Sequence, residues 1–154
     1  MMKLKNKIVI MLLVLSGFLI SISIWLSTRQ VEIKAVHEDH EFSSVLVKNF
    51  PLTNNGKIKW WVNNNAMLKE KYHIPKPNQD GFFSVVFWDF GEGYKEEGKY
   101  DRRCFTDMKT TVNCIDKDRI FSVEKDRQDN ILFTLDDGLY RMGKDGQIVK
   151  LNRE

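Results

Sequence analysis

The sequence has 154 residues, 24 Lys plus Arg against 21 Asp plus Glu, and a formal net charge of +3. One domain of ordinary size accounts for that length. Its 42% hydrophobic and 29% charged residues exclude a disordered or collagen-like chain. Two cysteines exclude a dense disulfide scaffold and a four-cysteine zinc site.

Positions 8–26 carry no charge, and 13 of these 19 residues are Ile, Leu, Val or Phe. As a helix the run spans roughly 28 Å, close to the hydrocarbon thickness of a bilayer. Its apolar side chains favour insertion by on the order of 4–8 kcal/mol, of which Ser16, Gly17, Ser21 and Ser23 remove only part. The run is expected to be a transmembrane anchor. A cleaved secretory signal is the alternative, with Ser21 and Ser23 at the −3 and −1 positions. Against it, the apolar run continues through Ile24, Trp25 and Leu26, and Trp25 suits an interfacial aromatic position. An uncleaved signal-anchor is therefore favoured. A lipoprotein is excluded because Phe18 stands where the lipidated Cys is required.

Lys3, Lys5 and Lys7 precede the span. Basic residues near a span favour the cytoplasmic side, so residues 1–7 are expected inside and 27–154 exported. The same three lysines make up the whole excess of positive charge, leaving the exported part neutral overall. A neutral domain lacks the electrostatic excess of a nucleic-acid binder, and no nucleic-acid partner is expected.

Export leads to an oxidising compartment, where Cys104 and Cys114, ten positions apart, read as one disulfide. Closing an ~11-residue loop stabilises a fold by roughly 2.5–3 kcal/mol in the chain-entropy model.

The exported residues read as one α+β domain. Residues 30–36 alternate with Val31, Ile33 and Ala35 on one face, which predicts a strand, and 42–48 predict a second. Thr53 caps a predicted helix to about Tyr72, with Ile58, Trp61, Val62, Leu68 and Tyr72 at helical spacing, and Pro75 and Pro77 beyond it. Residues 82–90 are aromatic and β-branched, the composition of a buried central strand. The polar stretch 94–117 predicts a loop or short helix pinned by the disulfide. Short strands at 120–125, 131–136, 139–142 and 147–151 complete an antiparallel meander, with Asp137-Gly138 and Asp145-Gly146 as hairpin signals.

Few motifs carry chemistry. His37-Glu38-Asp39-His40 gathers metal-capable side chains, but lying between two strand candidates it reads as a solvated turn. The three histidines fall in loop-like segments, and there is no G-x-S-x-G elbow and no S-x-x-K. Gly91-Glu92-Gly93 lacks the G-K-[ST] of a phosphate loop, and Asp116 and Asp118 are followed by Ile120 and Phe121 where a calcium loop needs a ligand and glycine. No catalytic, metal or cofactor residue is assigned. Large aromatics remain as candidate recognition residues: Trp60, which a helix cannot bury together with Trp61, and Tyr94 and Tyr100 in a charged loop. For Trp60, packing on the sheet edge is the competing reading.

The chain resembles a family of small enterobacterial membrane proteins with a domain of unknown function. The likeness rests on the lysine-flanked anchor, residues 31–37 (Val-Glu-Ile-Lys-Ala-Val-His), 45–51 (Val-Leu-Val-Lys-Asn-Phe-Pro), Trp60-Trp61, 74–77 (Ile-Pro-Lys-Pro), Gly81-Phe82-Phe83 and 87–91 (Phe-Trp-Asp-Phe-Gly). It implies a Gram-negative inner membrane with the domain in the periplasm, and brings no catalytic residue. The expectation is a tethered, non-catalytic periplasmic domain. It contacts the lipid bilayer through residues 8–26 and binds another protein, in a sharper form as an immunity protein against an envelope-targeted toxin. The alternatives are a periplasmic small-ligand binder or membrane-surface enzyme, and a structural accessory of an envelope complex.

Overall fold

The computed structural model describes residues 3–152. The chain divides into two units between Gln30 and Val31. The first contains helix α1 (Leu4–Thr28), long and apolar enough to cross a membrane. Its 25 residues extend about 37 Å. The hydroxyls of Ser16, Ser21, Ser23 and Ser27 each donate to a carbonyl three or four residues back, at 2.8–2.9 Å. These bonds satisfy the polar groups within the helix, which lowers the cost of placing them in hydrocarbon.

In the second unit, the described residues form β1 (Glu32–Asp39), β2 (Phe42–Lys48), α2 (Asn54–Tyr72), β3 (Ser84–Asp89), β4 (Arg102–Cys104), β5 (Cys114–Asp116), β6 (Arg119–Lys125), β7 (Ile131–Leu135), β8 (Gly138–Met142) and β9 (Ile148–Leu151). Seven strands form one sheet in the order β1-β2-β3-β6-β7-β8-β9, while β4 and β5 pair separately. Every neighbouring pair is antiparallel except β2 and β3, which run parallel and are joined through α2. The class is α+β, as expected.

β2 is buried throughout from Ser43 to Val47. Val45 and Val47 face the core that α2 covers, and Leu46 belongs to a second cluster. The α2-side core joins Ile58, Trp61 and Leu68 to Phe83, Phe87, Phe121 and Phe133. Phe87 and Phe121 stack with centroids 4.7 Å apart.

Local signals set the ends of α2. The Thr53 hydroxyl accepts the Gly56 N–H at 3.1 Å. A Cβ at position 56 would lie 2.8 Å from the Thr53 Oγ1 and 3.0 Å from Pro51, so glycine permits this tight start. The helix stops at His73, in the left-handed conformation (φ 58°), and buried Ile74 follows. The N–H groups of His73 and Ile74 donate to the carbonyls of Lys69 and Leu68, closing the last turn.

Three local readings change. Val62, expected on the apolar face of α2, is 42% exposed, while Lys57 is buried. Lys57 Nζ reaches 3.3 Å from both the Ile120 carbonyl and the Asp136 carboxylate, so its stem can pack while its charge is satisfied. The first strand begins later than predicted and carries a bulge between Ile33 and Ala35. Ile33 and Val36 therefore pack on the α2-side core and Ala35 on the second cluster, breaking the predicted alternation. The β7–β8 hairpin forms where expected, but Gly138 pairs with Leu135, so Asp136-Asp137 make the turn.

Phe87→Ala should lower the stability of the full chain by about 3–5 kcal/mol, as emptying a filled aromatic site does. Val62→Ala should stay within about 0.5 kcal/mol. Urea unfolding followed by circular dichroism separates the two; equal losses would mean that Val62 is packed.

Candidate functional site: the hairpin cap

The second cluster covers the face of the sheet opposite α2. Leu46, Phe105 and Ile115 form its buried centre, with Ala35, Trp88, Phe90, Tyr94 and Met108 around them. Phe105 and Ile115 come from the polar stretch between β3 and β6, which folds back as a cap. A loop or short helix was expected there. The stretch instead contains the β4–β5 ladder, in which Cys104 lies directly opposite Cys114. Their Cα atoms are 3.9 Å apart and their sulfurs 2.10 Å apart, at disulfide distance. Lys95 adds to the ladder by exchanging backbone hydrogen bonds with Cys114 at 2.7 and 2.9 Å.

His37 docks this cap onto the sheet. Its side chain is only 9% exposed. The ring stacks on Phe105 with centroids 3.9 Å apart and planes 11° from parallel. Nδ1 lies 2.8 and 3.0 Å from the two Asp107 carboxylate oxygens, and Nε2 lies 2.7 Å from the Tyr94 hydroxyl. A carboxylate only accepts, so Nδ1–H donates to Asp107, while the Tyr94 hydroxyl, which can donate or accept, pairs with Nε2. The result is a continuous hydrogen-bonded chain linking Tyr94, His37 and Asp107. Burial pushes the Tyr94 hydroxyl pKa above its ordinary value, and the nearby Asp107 charge adds to this.

The solvated-turn reading of residues 37–40 is thus corrected for His37, which lies in β1 and is buried. The strand continues to Asp39, and only His40, at φ 56°, occupies the turn. The i+2 spacing from Ala35 already placed His37 on a common face, a signal that polarity concealed. Asp107 carried no signal, because seventy positions separate it from His37. Among the described residues, no group of three His, Cys, Asp or Glu side chains could hold a metal ion.

The three aromatic candidates have different placements. Trp60 is half-buried against the α2-side core, 4.9 Å from Phe50 and 5.7 Å from Phe87 between centroids. Tyr94 is turned inward to His37. Tyr100 projects from the cap and is 70% exposed. The Arg102 guanidinium carbon lies 4.8 Å from the Tyr100 ring centre. Arg102 is itself fixed: Nε donates to Asp116 at 3.1 Å and Nη1 to the Glu96 carbonyl at 2.5 Å. Lys95 Nζ meets the same Asp116 carboxylate at 2.6 Å. Hydrogen bonding from Lys95, then Arg102, holds the Asp116 carboxyl below its ordinary range.

Two pH dependences follow. The raised Tyr94 value means that the folded state keeps this proton longer than the unfolded chain. Its contribution is fully present below the ordinary tyrosine value of about 10 and fades as pH rises through the folded value. Tyr94→Phe should remove that part of the alkaline loss, read as the urea midpoint against pH. Asp116 runs the other way: its contribution is present above the ordinary carboxylate value of about 3.9 and fades as pH falls through the folded value. Asp116→Asn should flatten the acid limb. Unchanged profiles in both variants would show that these contacts do not persist in solution.

Compared with known proteins, the chain matches one family model, described as "Enterobacterial putative membrane protein (DUF943)", over residues 3–152. No curated protein and no solved structure matches it.

Proposed function

The chain belongs to this family of enterobacterial membrane proteins, and from that premise we propose a tethered binding role: a single-pass inner-membrane protein whose residues 27–154 form a periplasmic, non-catalytic protein-binding domain. Lys3, Lys5 and Lys7 before the apolar run support a cytoplasmic N-terminus. The sulfur positions of Cys104 and Cys114 support a disulfide, which suits an oxidising compartment.

The observation that carries the binding role is the Tyr100–Arg102 pair. Tyr and Arg are the side chains that most often dominate interface energy. Here Tyr100 is exposed on a pinned hairpin and backed by Arg102, a largely covered side chain held by Asp116 and Glu96. A side chain ordered before binding loses less entropy on association. The specific form we favour is immunity, in which the domain meets an envelope-targeted toxin where that toxin arrives.

Pull-down of the tagged full chain from solubilised membranes should recover a partner. Tyr100→Ala should reduce its capture at least tenfold, while Val62→Ala leaves it unchanged. No partner above background, or equal capture by Tyr100→Ala, overturns the reading. Protease added to spheroplasts should digest residues 27–154, and thiol reagents should label Cys104 and Cys114 only after reduction. A protected domain would reverse the orientation, and labelling of both cysteines without reduction would remove the disulfide.

A further inference from the structure

The other face of the sheet carries a cleft of 470 Å³ between α2, the proline-containing segment after it, and the strand region beyond. Trp61, Pro75, Phe83, Ile131 and Met142 provide most of its wall. This volume lies within the range of small-molecule sites, which combine an apolar lining with a few orienting polar groups. Lys69 supplies such a group; Asn65, one turn before it along α2, donates its amide to the Trp61 and Val62 carbonyls at 3.1 and 2.9 Å.

No residue lining the cleft is acidic, and its one charge is Lys69. The Lys69 ammonium donates to the Pro75 carbonyl at 3.1 Å, which holds it at the cleft wall. Among the described residues it forms no ion pair, whereas Lys76 nearby in sequence is paired with Glu38. An ammonium has three N–H donors, so two remain for an anion. Lys69 is exposed, so these donors face solvent and are accessible to an anion.

We propose that this cleft binds a small anionic amphiphile, a single hydrocarbon body with a carboxylate or phosphate head. The apolar body lies against Trp61, Phe83, Ile131 and Met142, and the head pairs with Lys69. The charge complementarity selects an anion over a neutral apolar molecule of the same size. The site is on the opposite sheet face from Tyr100, so its occupancy is separable from partner capture.

Met142 gives a direct readout. The full chain, labelled with methyl-¹³C methionine and held in phosphatidylcholine nanodiscs, is titrated with dodecanoate, the Met142 resonance being identified by Met142→Leu. The Met142 signal should shift saturably while that of Met108, in the cap, stays fixed. Dodecanol, the neutral counterpart, should bind at least fivefold more weakly. Lys69→Gln should abolish that preference, and Lys69→Arg should restore it. If anionic phospholipid in the nanodisc shifts Met142 before dodecanoate is added, the same chemistry is supplied by bilayer lipid. An unmoved Met142, or dodecanol binding as tightly as dodecanoate, overturns the proposal, whatever the pull-down with Tyr100→Ala returns.

Discussion

The rest of the second unit depends on the burial of β2 on both of its faces. A strand with every residue from Ser43 to Val47 buried needs two covers. One is α2, which packs Ile58, Trp61 and Leu68 over Val45 and Val47. The other is the β4–β5 cap, which brings Phe105 and Ile115 to Leu46. The parallel β2–β3 pairing follows from the same requirement, since α2 provides the crossover that a parallel pair needs.

The two covers are built differently. α2 holds its face by apolar area: large aromatic and aliphatic side chains contribute roughly 1.5–3 kcal/mol each when fully buried. The cap has few such residues and relies on cross-links. The cysteine pair closes its base, and His37 joins it to the sheet through one stacked ring and two side-chain partners. Buried polar groups are costly unless satisfied, so this docking has a defined geometry and tolerates little slippage. That rigidity is what the proposed recognition surface requires of its scaffold. The net neutrality of residues 27–154 fits the same picture, since the proposed recognition then rests on local chemistry rather than a broad field.

Much of the architecture was legible in local patterns. The apolar run over 8–26 needed only composition and length to be read as a helix that could span a bilayer, and α1 contains it. β2 and α2 follow directly from their apolar patterns, and Asp-Gly signals marked the C-terminal hairpins. The cap was less legible because its regular part is two three-residue strands in a polar stretch. Such short elements have too few positions to display a period. Trp60 illustrates a middle case: adjacency to Trp61 showed that both could not face one core squarely, but only packing showed Trp60 resting on Phe50 and Phe87.

By itself, the sequence determined the apolar span, the asymmetry of lysines around it, the buried strands and the one cysteine pairing available. These properties are local or combinatorial, so neighbours in the chain suffice to specify them. Tertiary structure alone decided that β1 bulges, that His37 meets Asp107 across seventy positions, and that Lys69 borders an apolar cleft. Each depends on strand register and on which surfaces meet. A one-residue shift in register exchanges the two faces of a strand, and that choice is made by the packing of distant segments.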